Sequence, residues 1–388
     1  MHSENHAAMS FQRNLALLSL LLKGNHDAVI AVLQNDSSSK NDFVHFVKRH
    51  RLQLFVFSTL DGSPIRKCFP QQWLDEIKSS FLIQWPKQEI LIRELGRIST
   101  LLTAASHEFL LLKGPYLAKR FFGGINRRLF SDLDILIRRE DLAAVEQLLC
   151  GCGYVRKSTV LISRALTAHF THAFDFVKPK ITLDLHWALS ANAAHSLDYD
   201  AIWRQRQTFA LGNYKFFVLS DEYELVFNLI SIFKDLERGA ARLKAFVDLY
   251  FILSALSRRL DWEHFMQNRK REKILQISVN VLVLFLDLFD CREQFPEICR
   301  TIAREGRLVK HLPSEGFQSL IEASPGALTN KAWAAGIYEC SRMHVFLWWL
   351  VSLPFRLAVH NSSGYTRFSY GLQQLRNLAW PKTLRRMG

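Results

Sequence analysis

Apolar and polar positions follow different periods along the chain. From about residue 10 to 105 apolar residues recur at helical spacing, as in "FVHFVKRHRLQLFVFSTL" (43–60) and "EILIRELGRISTLLTAA" (89–105), and the polar stretch "NDSSSKND" (35–42) breaks the series. The period then changes. "FLLLKG" (109–114) is a short continuous apolar run that ends in glycine, and "PYLAKRFF" resumes helical character with Pro115 at the first turn. The spacing predicts strand, tight turn, helix. "SDLDILI" follows as a strand, "REDLAAVEQLLCGCG" as a helix ending near Gly151 or Gly153, and "YVRKSTV", "HAFDFV" and "ITLDLHW" as further strands. "TFALGNYKFFVLS" predicts a hairpin turning at Gly212 and Asn213, after which Ser220 and Asp221 open a long helical region. Three regions result: helical 1–105, a mixed α/β unit over 106–218, and helical 219–388.

Within the strand "LFSDLDILI" two carboxylates sit two positions apart. A two-residue period turns Asp132, Asp134 and Leu136 to one face and Leu133, Ile135 and Ile137 to the other. Two like charges side by side in a half-buried strand cost several kcal/mol unless water, an arginine or a divalent metal offsets them. "ITLDLHW" repeats the arrangement, with Thr182, Asp184 and His186 opposite Ile181, Leu183, Leu185 and Trp187. Three carboxylates near a glycine turn and a helix start fit a divalent metal with a polyphosphate. Mg2+ takes oxygen ligands, and backbone N–H groups at a helix start favour phosphate.

The order "LLKGPYLAKRFF", "RLFSDLDILIRREDLAAVEQLLCGCGY", "ITLDLHW" resembles a poorly characterised bacterial nucleotidyltransferase family of the polymerase β-type superfamily. The resemblance runs over about 106–265, including "LSDEYELVFNLI" and "LKAFVDLY". It implies an α+β fold, a polymerase β-type core flanked by helical regions. It also implies transfer of a nucleotidyl group, AMP by default, from a nucleoside triphosphate such as ATP to an acceptor hydroxyl by a two-metal mechanism with Mg2+ or Mn2+ and release of pyrophosphate. By that resemblance Gly114 is the turn that opens the site, Asp132, Asp134 and Asp184 are the metal-binding and catalytic acids, and Arg128 is a phosphate contact. The superfamily's Gly-Gly or Gly-Ser turn is Lys113-Gly114-Pro115 here, so Lys113 stands in for the missing serine. Lys244 is a further nucleotide contact, although Lys244 and Asp248, four apart, also read as a helical surface pair. His186 reads as a polar neighbour of the site, since this reaction requires no imidazole.

Composition adds bounds. At 388 residues, 49% hydrophobic and 22% charged, the chain is a folded globular protein. Its six cysteines form no CxxC pair or zinc spacing and read as reduced thiols of a cytoplasmic protein. The formal charge of +14 suits anionic partners such as nucleotides, RNA or acidic lipid. "VFLWWLVSL" (345–353) is cut short by Pro354 and Arg356, and reads as a buried or surface-lying helix, not a span. Two alternatives to the transferase use these features. One is a non-catalytic nucleotide-binding partner held at a membrane periphery or biosynthetic complex by the C-terminal region. The other is an RNA-modifying toxin or antitoxin component. The acceptor, whether small molecule, peptide, protein or RNA, is not encoded in these patterns.

Overall fold

The computed structural model describes residues 2–35, 39–157, 171–190, 195–237 and 241–305. "VFLWWLVSL" and the basic stretch after it lie outside them. Among the described residues no helix is long and apolar enough to cross a membrane.

Five helices precede the sheet: α1 (His2–Leu22), α2 (His26–Asn35), α3 (Ser39–Arg49), α4 (Gln53–Leu60) and α5 (Gln71–Ala104). α5 buries Leu91, Leu95, Ile98 and Leu102, three or four residues apart along one stripe, while Ile90 beside them is exposed. Gln88 lies in that stripe. Fully buried, it donates its amide N–H to the Arg128 carbonyl at 3.0 Å. On α4, Ser58 accepts from Arg127 Nε at 3.3 Å. The helical region thereby fixes the segment that leads into the acid-bearing strand.

The sheet has seven strands: β1 (Phe109–Leu112), β2 (Leu133–Ile137), β3 (Val155–Arg156), β4 (Ala173–Lys178), β5 (Ile181–His186), β6 (Gln207–Leu211) and β7 (Tyr214–Val218), in the order β3-β4-β5-β2-β1-β7-β6. It is mixed. β2 runs parallel to β5 and β1 parallel to β7, while β1–β2, β4–β5, β3–β4 and β6–β7 are antiparallel. The β6–β7 hairpin turns where the sequence predicts, with Gly212 at φ +58°. Between β1 and β2 lies α6 (Gly114–Arg120), and α7 (Leu142–Gly151) follows β2. This is the α+β arrangement expected from the sequence.

After β5 come α8 (Tyr199–Arg204), and after the hairpin α9 (Asp221–Glu237), α10 (Leu243–Leu256), α11 (Trp262–Arg271), α12 (Leu275–Leu288) and α13 (Pro296–Glu305). The sheet has an apolar face and an acidic one. Leu133, Ile135, Leu183 and Leu185 are completely buried on the first, whereas Asp134 and Asp184, one position along, are half-buried on the second. α9 reaches the acidic face: Phe227 sets its ring edge-on to His186 at 6.1 Å, and Ser231 accepts a hydrogen bond from Lys113 at 3.0 Å.

Candidate active site

Strand register assembles the site. Asp134 on β2 is the direct partner of Asp184 on the parallel β5, and Asp184 is the direct partner of Asp175 on the antiparallel β4. Three carboxylates therefore stand in a row across three adjacent strands, with Asp132 at the entry to β2. The expectation that Asp132, Asp134 and Asp184 share a face is met for the last two as neighbours. Asp134, Asp184 and His186 have ligand atoms that all lie within 4.8 Å of one another, a group that does not include Asp132. His186 is closer to the centre than the sequence implies, with Nε2 3.1 Å from Asp134 Oδ1.

The electrostatics of the row are uneven. Burial pushes the Asp184 carboxyl up, and the charges of Asp134, Asp175 and Asp132 add to it, outweighing Lys234, so that it titrates at about 8. Burial also pushes Asp134 upward, but the hydrogen bond and charge of His186, with Lys113 and Lys234, hold it below the usual carboxylate range. The pair is driven apart, Asp134 toward the ionised form and Asp184 toward the protonated one. Two acids that divide a proton in this way occupy a place where a multivalent cation would relieve both.

The turn before α6 carries the backbone strain of the site. Lys113 has φ +40° and Gly114 φ +48°, two successive residues in the left-handed region. A Cβ on Gly114 would meet the Asp132 carbonyl at an ordinary 3.8 Å, so dihedral angle, not space, demands glycine here. The helix start offers fewer donors than the sequence suggests. Pro115 has no N–H, the N–H groups of Tyr116 and Leu117 go to the Lys113 carbonyl, and α6 spans only seven residues. A phosphate at this turn would be met chiefly by side chains. Lys113 is the nearest, its ammonium on Ser231 Oγ and 4.4 Å from the centre of the Phe227 ring.

Arg128 and Lys244, expected as nucleotide contacts, are engaged elsewhere. The Arg128 guanidinium is buried and bidentate on Asp248, with Nε–Oδ1 2.7 Å and Nη2–Oδ2 2.8 Å, and its third nitrogen reaches the Gly114 carbonyl at 3.4 Å. Lys244 Nζ adds a bond to Asp248 Oδ2 at 3.3 Å. The Lys244–Asp248 pair is thus largely buried, with Asp248 fully so and Lys244 partly, and is not a solvent-facing helix pair. Burial lowers the Lys244 pKa to about 8, helped by the adjacent Arg128 and opposed by Asp248. These residues sit behind the glycine turn and brace it from the α10 side.

Three residues near the acids are absent from the sequence reading. Asp175 was legible, since "HAFDFV" alternates as "ITLDLHW" does. Lys234 had no local signal; its ammonium lies 3.4 Å from His172 Nε2, and its charge acts on both Asp134 and Asp184. Glu224 on α9 is fully buried, neither carboxylate oxygen has a hydrogen-bond partner, and burial raises its pKa to about 7 against the charges of Lys113, Arg120 and Arg128.

Residues 36–290 match the family described as "uncharacterised nucleotidyltransferase". No curated protein matches the chain.

Proposed function

The chain belongs to that nucleotidyltransferase family, and from this premise we propose that it transfers a nucleotidyl group, AMP from ATP by default, to an acceptor hydroxyl in a metal-dependent reaction that releases pyrophosphate. The observation that carries the reading is the register of Asp134 against Asp184 with His186 beside them, one strand from the strained Lys113-Gly114 turn. The donor set fits a divalent ion, because carboxylate oxygens of Asp134 and Asp184 converge and burial with mutual repulsion disfavours ionising both.

Asp132 and Asp134 would hold two divalent ions, the nucleotide-bound one without Asp184, and Asp184 would join them chiefly at the catalytic one. When bound, the ions supply charge neutralisation at the phosphorus undergoing in-line displacement. A new bond forms from the acceptor oxygen to the α-phosphorus, and the bond from that phosphorus to the pyrophosphate oxygen breaks. Asp184 is placed to take the acceptor hydroxyl's proton at a carboxylate oxygen. Lys113 and Lys234 flank the acids with the positive charge that an incoming triphosphate requires. Arg128 and Asp248 act at one remove, holding the Gly114 carbonyl and so the shape of the turn.

The test separates binding from chemistry. Asp184→Asn is expected to leave nucleotide affinity, measured calorimetrically with Mg2+ or Mn2+, nearly unchanged while lowering the rate of labelled nucleotide transfer or slow hydrolysis by about 10²-fold or more. Near-normal turnover, or equal loss of binding and turnover, would remove Asp184 from the role given to it. Labelled nucleoside triphosphates in a lysate of the source organism identify the acceptor.

A further inference from the structure

We propose that His186 is itself a ligand of this metal site, and that the ion held with Asp134 and Asp184 is a divalent transition-metal ion, Mn2+ in preference to Mg2+. The inference rests on the metal-dependent reading above and deepens it by adding a nitrogen donor.

Placement comes first. The two-residue strand period puts His186 on the same face as Asp184, and the parallel pairing of β2 with β5 brings its ring diagonally onto Asp134. Nε2 lies 3.1 Å from Asp134 Oδ1, and Asp134, Asp184 and His186 each offer a ligand atom within 4.8 Å of the other two. Two donors bound at about 2.1 Å and at right angles on a six-coordinate ion are about 3 Å apart. The nitrogen and the oxygen therefore already stand at the spacing of adjacent ligands.

The ring is also fixed there. Its side chain is only 8% exposed, Phe227 packs edge-on against it, and its backbone is paired to Ala173 of β4. An ion that engages Asp184 and the Oδ1 oxygen of Asp134 has an imidazole nitrogen within reach. In the metal-free protein Nε2 and Oδ1 approach as hydrogen-bond partners, which requires a proton between them. A divalent ion replaces that proton and binds both atoms.

Donor chemistry then selects the metal. Mg2+ takes oxygen ligands and retains its waters, whereas imidazole nitrogen favours first-row transition ions. A set of one imidazole and two or three carboxylates keeps the oxygen-rich character that suits Mn2+ while adding the nitrogen that Mg2+ binds poorly. The competing role for His186 is to donate its Nε2 proton to Asp134 and orient it, with the ring outside the coordination sphere.

Pulsed electron paramagnetic resonance of Mn2+ bound to the full chain distinguishes the two. The wild type is expected to show modulation from a directly bound histidine 14N, replaced by the 15N pattern when the protein is grown with 15N-histidine, a measurement that needs no variant. His186→Gln is expected to abolish the signal and weaken Mn2+ binding about tenfold or more, while Mg2+ affinity by competition changes less than about threefold, collapsing the preference for Mn2+. His172→Gln is the control, since that ring is 5.7 Å from His186, and it should keep the nitrogen signal. Mn2+ binding that depends on Asp134 but shows no nitrogen signal, or an unchanged Mn2+ to Mg2+ ratio in His186→Gln, overturns the ligand role and leaves the carboxylate site standing. No binding of either ion to the wild type at millimolar concentration overturns both.

Discussion

Two clusters of buried charge lie on either side of the Gly114 turn, and they have opposite accounts. Behind the turn, Arg128, Lys244 and Asp248 close on one another: the carboxylate takes a bidentate guanidinium and an ammonium, and its pKa is held below the usual range against the upward push of burial. In front of it, Asp134, Asp184 and Asp175 stand in register with Asp132 nearby, and their repulsion, on top of burial, leaves Asp184 protonated up to about pH 8. The first cluster is complete without a ligand. The second is not. Burial of charge alone therefore does not mark a candidate site; like charges brought together by strand pairing do.

The contrast is testable, and the largest effect belongs to the closed cluster. Asp248→Ala leaves Arg128 and Lys244 buried without their carboxylate and should cost about 3–5 kcal/mol in urea unfolding. A loss below about 1 kcal/mol would mean that the cluster is better hydrated than its burial indicates. Next in size, Mg2+ or Mn2+ with a triphosphate at about 100 times its Kd should stabilise the wild type by about 2.7 kcal/mol in thermal unfolding. The double variant Asp132→Asn, Asp134→Asn should show no shift.

A smaller effect appears with pH in the metal-free protein. Asp184 has a folded pKa of about 8, raised from the ordinary 3.8, so the folded state binds its proton more tightly than the unfolded state. Stability should fall as pH rises from about 4, with the loss complete above about 8. Asp134, held low, acts in the opposite direction and only at lower pH, where protonation removes its contribution. Asp184→Asn should flatten the fall and gain roughly 1–2 kcal/mol over the wild type at pH 9, after allowance for solvent screening. The smallest change is Ser231→Ala, which removes the hydroxyl under Lys113 and should cost about 0.5–1.5 kcal/mol with a weaker grip on the triphosphate.

Much of the fold was legible because its rules are local. Alternation in "SDLDILI" and "ITLDLHW" sorted each strand's faces, glycine marked the turn at 212, and the end of α7 fell at Gly151 with Gly153 at φ +85°. What the chain does not spell locally is who lies beside whom. Arg128 meets an aspartate 120 positions away, so a basic residue next to a candidate site reads as a phosphate contact until its partner is seen. The i, i+4 spacing of Lys244 and Asp248 is the same on a surface helix and a buried one. His186 reads as a neighbour from its strand alone, because its approach to Asp134 depends on β5 lying parallel to β2 in one register.

The same long-range pairing has a consequence for how the protein is made. The Asp134–His186 contact closes a loop of 52 residues and the Lys113–Ser231 contact one of 118, whereas the helices ahead of β1 pack largely on near neighbours in sequence. Loop-closure entropy delays contacts of that kind. A chain emerging from the ribosome is expected to gather α1 to α5 first, hold an incomplete row of acids until β5 is out, and cover it only when α9 arrives. Capture of the proposed metal is then expected to be a late event in synthesis, and fragments ending before residue 181 should fold their helices yet bind no ion.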